Sequence, residues 1–388
     1  MGNKPTTNQE KNVNEAMSGR AGKLTWSIDG TTLTIKGKGR IPNYDHNYDP
    51  DSANEVYGLD SDSNSDLDSN PPYEIHNPNP NFNPMPWHLH RKDIYEVIIE
   101  EGVTTIGEAA FADCSNLITI TIPDSVTKIE SNAFLGCNSL GFIEIPKNVS
   151  DLSAFDDCTS LHCIDVDKNN NTYSSEDGAL FNKSKTELLL YPEGKPYTNY
   201  IIPSSVLKIE SGAFHNSRLI ALTIPDTVTS IESSAFEGCR MSSVMISGAI
   251  TRIADSTFFN CTELTSVTIP NGVISIERWA FWNCSSLKHV TIPDSVTCIK
   301  YGAFKGCCNL NMVTIPNKVT SIDSSAFCNC PSLKHVYLLP EIPPVIEYDA
   351  FVNVEDSCIL HVPAGSKSEY AQAEGWEGFK NIQEDILQ

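Results

Sequence analysis

No segment of the chain approaches the run of ~20 apolar residues that a membrane-spanning helix needs, so no membrane insertion is expected. The opening Met1-Gly2-Asn3-Lys4-Pro5-Thr6 has no apolar h-region and hence no visible secretory signal. Basic residues are scarce: 27 Lys and Arg stand against 49 Asp and Glu, a net charge of −22. Affinity for nucleic acid comes largely from Lys and Arg on phosphates, so nucleic acid is excluded as a partner, and an anionic membrane surface with it. Also missing are His-Glu-x-x-His, a Walker loop, a nucleophile elbow and Gly-x-Gly-x-x-Gly. No catalytic residues, no enzymatic activity and no cofactor are therefore expected. The first six residues do match the N-myristoylation pattern Met-Gly-x-x-x-[Ser/Thr]. So short a pattern recurs by chance, and the plainer reading is an expression start placed where a signal peptide was removed.

What the chain has in abundance is self-similarity. A unit Leu-x-x-Val-Thr-Ile-Pro-x-x-Val-Thr-x-Ile-x-x-x-Ala-Phe-x-x-Cys recurs, with its Phe at Phe111, Phe134, Phe155, Phe214, Phe236, Phe258, Phe281, Phe304, Phe327 and Phe351. Apart from one gap of 59, successive Phe residues are 21 to 24 apart. Three residues after most of them stands a cysteine: Cys114, Cys137, Cys158, Cys239, Cys261, Cys284, Cys307 and Cys330, with Ser217 in one slot. Leu117-x-x-Ile120-x-Ile122 fits the Leu-x-x-Leu-x-Leu core of a leucine-rich repeat. Its second half alternates as a strand does, and Pro123, lacking an N–H, ends it. Val126 and Ile129 start the return path. Ala133-Phe134 is expected in a short helical or 3₁₀ turn, closed by Cys137. One unit cannot bury Leu117, Ile120, Ile122, Val126, Ile129 and Phe134, but stacked neighbours can. The expected fold is thus an α/β-type repeat solenoid of leucine-rich-repeat class, a right-handed coil of parallel strands with short helical or 3₁₀ turns, and elongated. A chain of 388 residues would otherwise suggest two or three domains of ~150 residues; a repeat array grows by stacking instead.

The ends and one interruption depart from the unit. Leu24–Ile28 and Thr32–Ile35 alternate on either side of Asp29-Gly30, a hairpin signal. Between Phe155 and Phe214, Asp177-Gly178 and the run Leu188-Leu189-Leu190-Tyr191-Pro192 suggest a hairpin-like excursion. Residues Ser366 to Trp376 look helical. The organisation expected is a disordered segment over 1–20 and an N-terminal cap hairpin over 21–93 with an acidic insertion at 45–83. The solenoid follows over 94–351, with an irregular insertion at about 165–200, and a C-terminal cap spans 352–388.

The insertion 45–83 carries nine acids and no Lys or Arg. Within it Asp60, Asp62, Asn64, Asp66 and Asp68 copy the alternating oxygens of a calcium loop. Ser65 stands where that loop needs Gly and Pro71 where it needs Glu. A solvated acidic loop is therefore the plainer reading, and no metal site is assigned. The thirteen cysteines are an odd number. The ladder cysteines read as small buried hydrophobes, because parallel Cβ vectors on stacked coils oppose the disulfide dihedral. Cys307-Cys308 and Cys328-x-Cys330 have the wrong spacing for zinc.

The repeat unit, the segment Asp177-Gly178-Ala179-Leu180-Phe181-Asn182-Lys183 and the ending Val362-Pro363-Ala364-Gly365-Ser366 … Gly375-Trp376 … Phe379-Lys380-Asn381-Ile382 resemble BspA-like leucine-rich-repeat proteins of the Bacteroides type. The likeness covers residues ~18 to 384. It implies a secreted or surface-anchored, extracellular protein, and several such proteins are adhesins for host matrix or for other microbes. The acidic insertion and the missing signal peptide depart from that pattern.

A strand's third and fifth positions in Leu-x-x-Val-x-Ile face away from the core, and most hold Thr or Ser. Phe142 and Glu144 are exceptions, and the C-terminal repeats differ as a group: His289, Met312, His335 and Tyr337 cluster there, each His preceded by a Lys, Lys288 and Lys334. Exposed aromatic, Met and basic residues together are what binding faces use. The expectation is a monomeric binding or adhesion protein that holds a protein ligand, such as host matrix or another microbial surface protein, on this end of a concave sheet. A carbohydrate-binding or structural cell-envelope spacer protein remains the alternative. A sugar site wants several exposed aromatics on one face, and on the strand face only Phe142 and Tyr337 qualify.

Overall fold

The computed structural model describes residues 17–45, 83–347 and 349–386. The chain forms two compact units. One holds the residues up to Leu140 together with Asn148–Thr159; the other holds Gly141–Lys147 and everything from Ser160 onward. Both are leucine-rich-repeat solenoids built from parallel strands.

In the first unit Met17–Ala21, Leu24–Asp29 and Thr32–Lys36 form an antiparallel meander. Gly22 and Gly30, at φ +63° and +60°, turn the chain between them. Thr32–Lys36 then pairs in parallel with Glu96–Ile99, which pairs with Thr119–Thr121. Residues 17–20 were expected to lie in the disordered leading segment; they instead cover the edge of Leu24–Asp29 and supply the hydrogen bonds that an open edge leaves unmade. Residues 1–16 lie outside the described part. The two ends of the acidic insertion meet: Asp45 N–H donates to the Asn83 carbonyl at 3.0 Å, and Asn83 N–H to Asp45 Oδ2 at 2.9 Å. The oxygen-rich run Asp60, Asp62, Asn64, Asp66 and Asp68 lies outside the described residues.

The second unit carries the longest sheet: Ser243–Met245, Ser266–Thr268, His289–Thr291, Met312–Ile315, His335–Leu338, Ile359–Pro363 and Asn381–Ile386, all parallel and in that order. Its interruption is a hairpin, Tyr173–Glu176 against Ala179–Asn182, turned by Asp177 and Gly178 at φ +49° and +71°. Left-handed backbone at both turn residues matches the twist of the flanking strands. The hairpin's third strand, Glu187–Leu190, joins Lys208–Ile209 in parallel and so merges with the coils.

Three features of the coil go beyond the sequence reading. Ile253, Ile276, Ile299 and Ile322 sit in two-residue parallel strands that form a second sheet in the second unit, and Ile129 sits in such a strand in a separate sheet of the first. Two residues are too few to show alternation. Second, the Ala-Phe segment is a turn without helix. Two residues before the ladder Phe, Ala109, Asn132, Gly212, Ser234, Ser256, Trp279, Gly302 and Ser325 have φ between 53° and 65°. Two residues after it, Asp113, Gly136, Asp157, Asn216, Gly238, Asn260, Asn283, Gly306, Asn329 and Asn353 are left-handed as well. Left-handed residues four apart stop a helix, and the freed N–H groups bond the next coil, as Phe281 N–H does to the Ala303 carbonyl at 2.7 Å. Third, Ile120 and Ile122, expected in the core, are half-buried. Thr119–Thr121 is the edge strand of its sheet and is covered on one side only.

The core is a stack of rings. From Phe258 through Phe281, Phe304 and Phe327 to Phe351 the centroids are 5.1–5.2 Å apart and the planes within 8°. Trp87 begins the stack of the first unit, and Tyr191 and Trp376 begin and end that of the second. Beside the rings runs the cysteine ladder, buried and unbridged. From Cys137 onward the ladder thiols find an acceptor one coil back: Cys261, Cys284 and Cys307 Sγ–H donate to the carbonyls of Phe236, Phe258 and Phe281 at 3.1, 3.1 and 3.3 Å. The slot therefore suits a residue that is small, apolar and still a weak donor.

Candidate binding face

On the seven-stranded sheet, the inward positions Val244, Val267, Val290, Val313, Val336 and Leu360 are buried. The outward positions form two rows. One runs Ser243, Ser266, His289, Met312, His335 and Ile359; the other runs Met245, Thr268, Thr291, Thr314, Tyr337, His361 and Gln383. Backbone hydrogen bonding fixes these side chains about 4.8 Å from their neighbours. His289, Met312 and His335 are thus adjacent in one row, with His289 and Met312 exposed and His335 half-buried. Lys288 and Lys334 sit just before their strands, exposed, their N–H groups donating to the Thr265 and Asn311 carbonyls. Tyr337 lies in the second row, half-buried. The expected residues therefore share one face.

Two partners escaped the sequence reading. His361 stacks under Tyr337, with centroids 4.2 Å apart and planes at 11°, and is only 5% exposed. Its Nδ1 lies 2.9 and 2.8 Å from the two carboxylate oxygens of Asp385, and its Nε2 lies 2.9 Å from His335 Nδ1. A carboxylate only accepts, so Nδ1 of His361 carries the proton. In neutral His361 the Nε2 can then only accept, which makes His335 Nδ1 the donor and leaves His335 Nε2 as a lone pair. The cluster thus offers one hydrogen-bonding position, His335 Nε2, on a set of rings held together by stacking and hydrogen bonds.

Asp385 reaches this place through a register shift. Val362 faces Glu384 and Pro363 faces Ile386, so Asp385 is an extra residue on the last strand. A bulge re-aims the residue it contains, which period-two alternation cannot foresee. The neighbouring Glu384 turns the other way, its Oε1 accepting from Gly365 N–H at 3.1 Å and Lys367 N–H at 2.9 Å at the start of the short helix Lys367–Gln372. His361 was visible in the sequence as the outward residue of Leu360-His361-Val362, but only the strand pairing puts it beside Tyr337.

Among the described residues, no group of three or more His, Cys, Asp or Glu could hold a metal ion, and no helix is long and apolar enough to cross a membrane.

Comparison with known proteins supplies the family. The family described as BspA type leucine rich repeat region matches in six copies, over residues 89–193, 191–307 and 251–370. No curated protein resembles the chain closely enough to count as a match. Among solved structures, a leucine-rich repeat protein from Eubacterium ventriosum is 22% identical, covers 89% of this chain and 94% of its own, and superposes with a TM-score of 0.56. A leucine rich cell surface protein from Faecalibacterium prausnitzii is 32% identical over 65% of this chain and 61% of its own, with a TM-score of 0.52. The pneumococcal vaccine antigen PcpA is 17% identical, over 97% and 100% of the two chains, with a TM-score of 0.53. The Eubacterium protein and the pneumococcal antigen share the fold at this identity and carry no further argument.

Proposed function

The chain belongs to the BspA-type leucine-rich-repeat family, and from that premise we propose that it is a non-enzymatic cell-surface or secreted binding protein, an adhesin whose ligand is a protein of host matrix or of another microbe. The ligand docks on the outward face of the seven-stranded sheet at its C-terminal end, around His289, Met312, His335, Tyr337 and His361, flanked by Lys288 and Lys334. The observation that carries this reading is the locked ring cluster. Elsewhere the face presents mostly small Thr and Ser, whereas here Tyr337, His335 and His361 are already stacked and hydrogen-bonded before any ligand arrives. Binding then costs little side-chain ordering, and large preorganised side chains are what anchor a contact. The surface setting rests on the family and on the Faecalibacterium relative, named a cell surface protein.

The structure also selects the variants for the test. Ala at His335 and Tyr337 would strip two partners from buried His361 and disturb the fold. His289 and Met312 are exposed, so His289→Ala/Met312→Ala probes the face alone. Binding of the purified protein to immobilised host-matrix extract and to whole cells of other microbes is measured by interferometry. The double variant is expected to bind at least ~10-fold more weakly, the loss of one or two anchors, with the same melting temperature. Undiminished binding by that variant, together with loss in Glu144→Ala on the distant strand Phe142–Ile145, would place the site elsewhere.

A further inference from the structure

Away from the strand face, the turn side of three successive coils carries Phe259, Trp279, Trp282 and Tyr301, all half-buried. Trp282 lies 5.5 Å from Phe259 and 5.9 Å from Trp279, and Trp279 lies 5.9 Å from Tyr301. Lys305 sits 4.8 Å over the Trp282 ring. We infer that this aromatic ridge is a second binding site, for a neutral, linear polysaccharide.

The internal repeat supplies the control. Trp279 occupies the left-handed slot two residues before the ladder Phe, at φ +55°. In the other left-handed residues described at that slot the side chain is Ala, Asn, Ser or none. A bulky ring is a true outlier in that conformation, and such outliers concentrate where function holds them. The indole carries a second cost: its Nε1–H is buried without an acceptor. The next coil is shaped to receive it. Gly302 fills the same slot one coil on, and a Cβ there would stand 2.8 Å from Trp279 Cδ1. Trp279 N–H bonds the Tyr301 carbonyl at 3.0 Å, so the backbone beneath the ridge is fixed. A residue strained, unpaired and accommodated by its neighbour, yet half-exposed, is poorly explained by packing.

The chemistry of the ridge selects the ligand. Flat ring faces stack on the C–H faces of sugar rings. Asn260 and Asn283, directly after Phe259 and Trp282, add amides, with Asn283 Nδ2–H donating to Asn260 Oδ1 at 2.7 Å. The chain's net charge of −22 disfavours a polyanion, and Lys305 over Trp282 disfavours a cation at that ring. A neutral sugar meets neither obstacle. One aromatic position recurs on adjacent coils, Phe259 and Trp282 each following the ladder Phe, and aromatics spread over three coils match an extended chain.

The test is affinity gel electrophoresis of the full chain in gels holding mixed-linkage β-glucan, xyloglucan, galactomannan or arabinoxylan, with polygalacturonate as the anionic control. At least one neutral gel is expected to retard the protein. Trp282→Ala and Trp279→Ser should each weaken that retardation at least ~10-fold, the scale of losing one stacking ring. Trp279→Ser restores the residue found at this slot in other coils, so it is expected to melt at or above the wild-type temperature while losing the glycan. His289→Ala/Met312→Ala should leave retardation intact, which separates this site from the sheet face. No retardation in any neutral gel, retardation unaffected by both tryptophan variants, or a Trp279→Ser protein that melts well below wild type would each overturn the assignment.

Discussion

Raising the pH above 9 should unfold the solenoid through its thiol ladder. Burial pushes Cys114, Cys261 and Cys330 up to about 12 from an ordinary 9.0, and holds Cys137, Cys239, Cys284 and Cys307 well above it. The folded chain therefore keeps protons that the unfolded chain releases. With the folded value raised, the contribution to stability is complete below pH 9 and is lost as the pH climbs from 9 towards 12. One thiol loses about 1.4 kcal/mol per pH unit in that window. Three thiols in adjacent coils would lose about 4 kcal/mol by pH 10, a large part of a typical stability of about 5–15 kcal/mol. Urea titrations followed by circular dichroism at pH 7.5, 9 and 10, under reductant, measure it. Tyr and Lys also titrate there, so the comparison is with Cys261→Ala/Cys284→Ala/Cys307→Ala. That variant should be less stable at pH 7.5, having lost three S–H···O bonds and their packing, yet decline less steeply with pH. Equal slopes in the two proteins would refute the reasoning.

Other consequences follow from the same packing. A thiol reagent should modify exposed Cys308 fastest in native protein and half-buried Cys163 and Cys298 more slowly, the ten buried cysteines reacting only on denaturation; fast labelling of Cys284 would contradict the ladder. Phe281→Ala, removing a fully buried ring 5.2 and 5.1 Å from its neighbours, should cost about 3–5 kcal/mol in urea titration. Asp385→Asn removes the acceptor that fixes the His361 tautomer, and imidazole ¹⁵N shifts in NMR should show Nδ1 losing its proton preference; an unchanged spectrum would mean that Asp385 does not hold the ring.

The fold was legible because the repeat states its own physics many times over. Each Phe at 21 to 24 residue intervals names a coil, and each Leu-x-x-Val-x-Ile of the seven-stranded sheet names a strand whose inward residues are buried as read, whereas Ile120 and Ile122 on an edge strand are only half-buried. What stayed hidden were features carried by fewer residues than a pattern needs. The second sheet rests on pairs such as Ser275–Ile276. The Ala-Phe turn looked helical because Ala133-Phe134 suits a helix, while the residues that forbid one, Asn132 and Gly136, are separated by three positions that give no such warning.

The candidate sites divide along the same line. His289, Met312, His335 and Tyr337 were readable because equivalent strand positions fall into register whenever coils stack. Asp385 was not, since its position depends on a one-residue slip in the last strand. Trp279 is the instructive case. Read as a sequence letter it is a Trp near a ladder Phe, and a count of outward strand positions passes over it. Only its backbone conformation shows that the slot elsewhere holds Ala, Ser, Asn or Gly, so that the substitution works against the fold. A repeat chain thus contains its own reference state: a coil that departs from its neighbours at a cost in stability marks where something other than stability is being served. By that criterion the turn side around Trp279 and the strand face around His361 are two separate departures, one strained and aromatic, the other hydrogen-bonded and titratable. The two differ in chemistry, and each can be removed by substitution without touching the other.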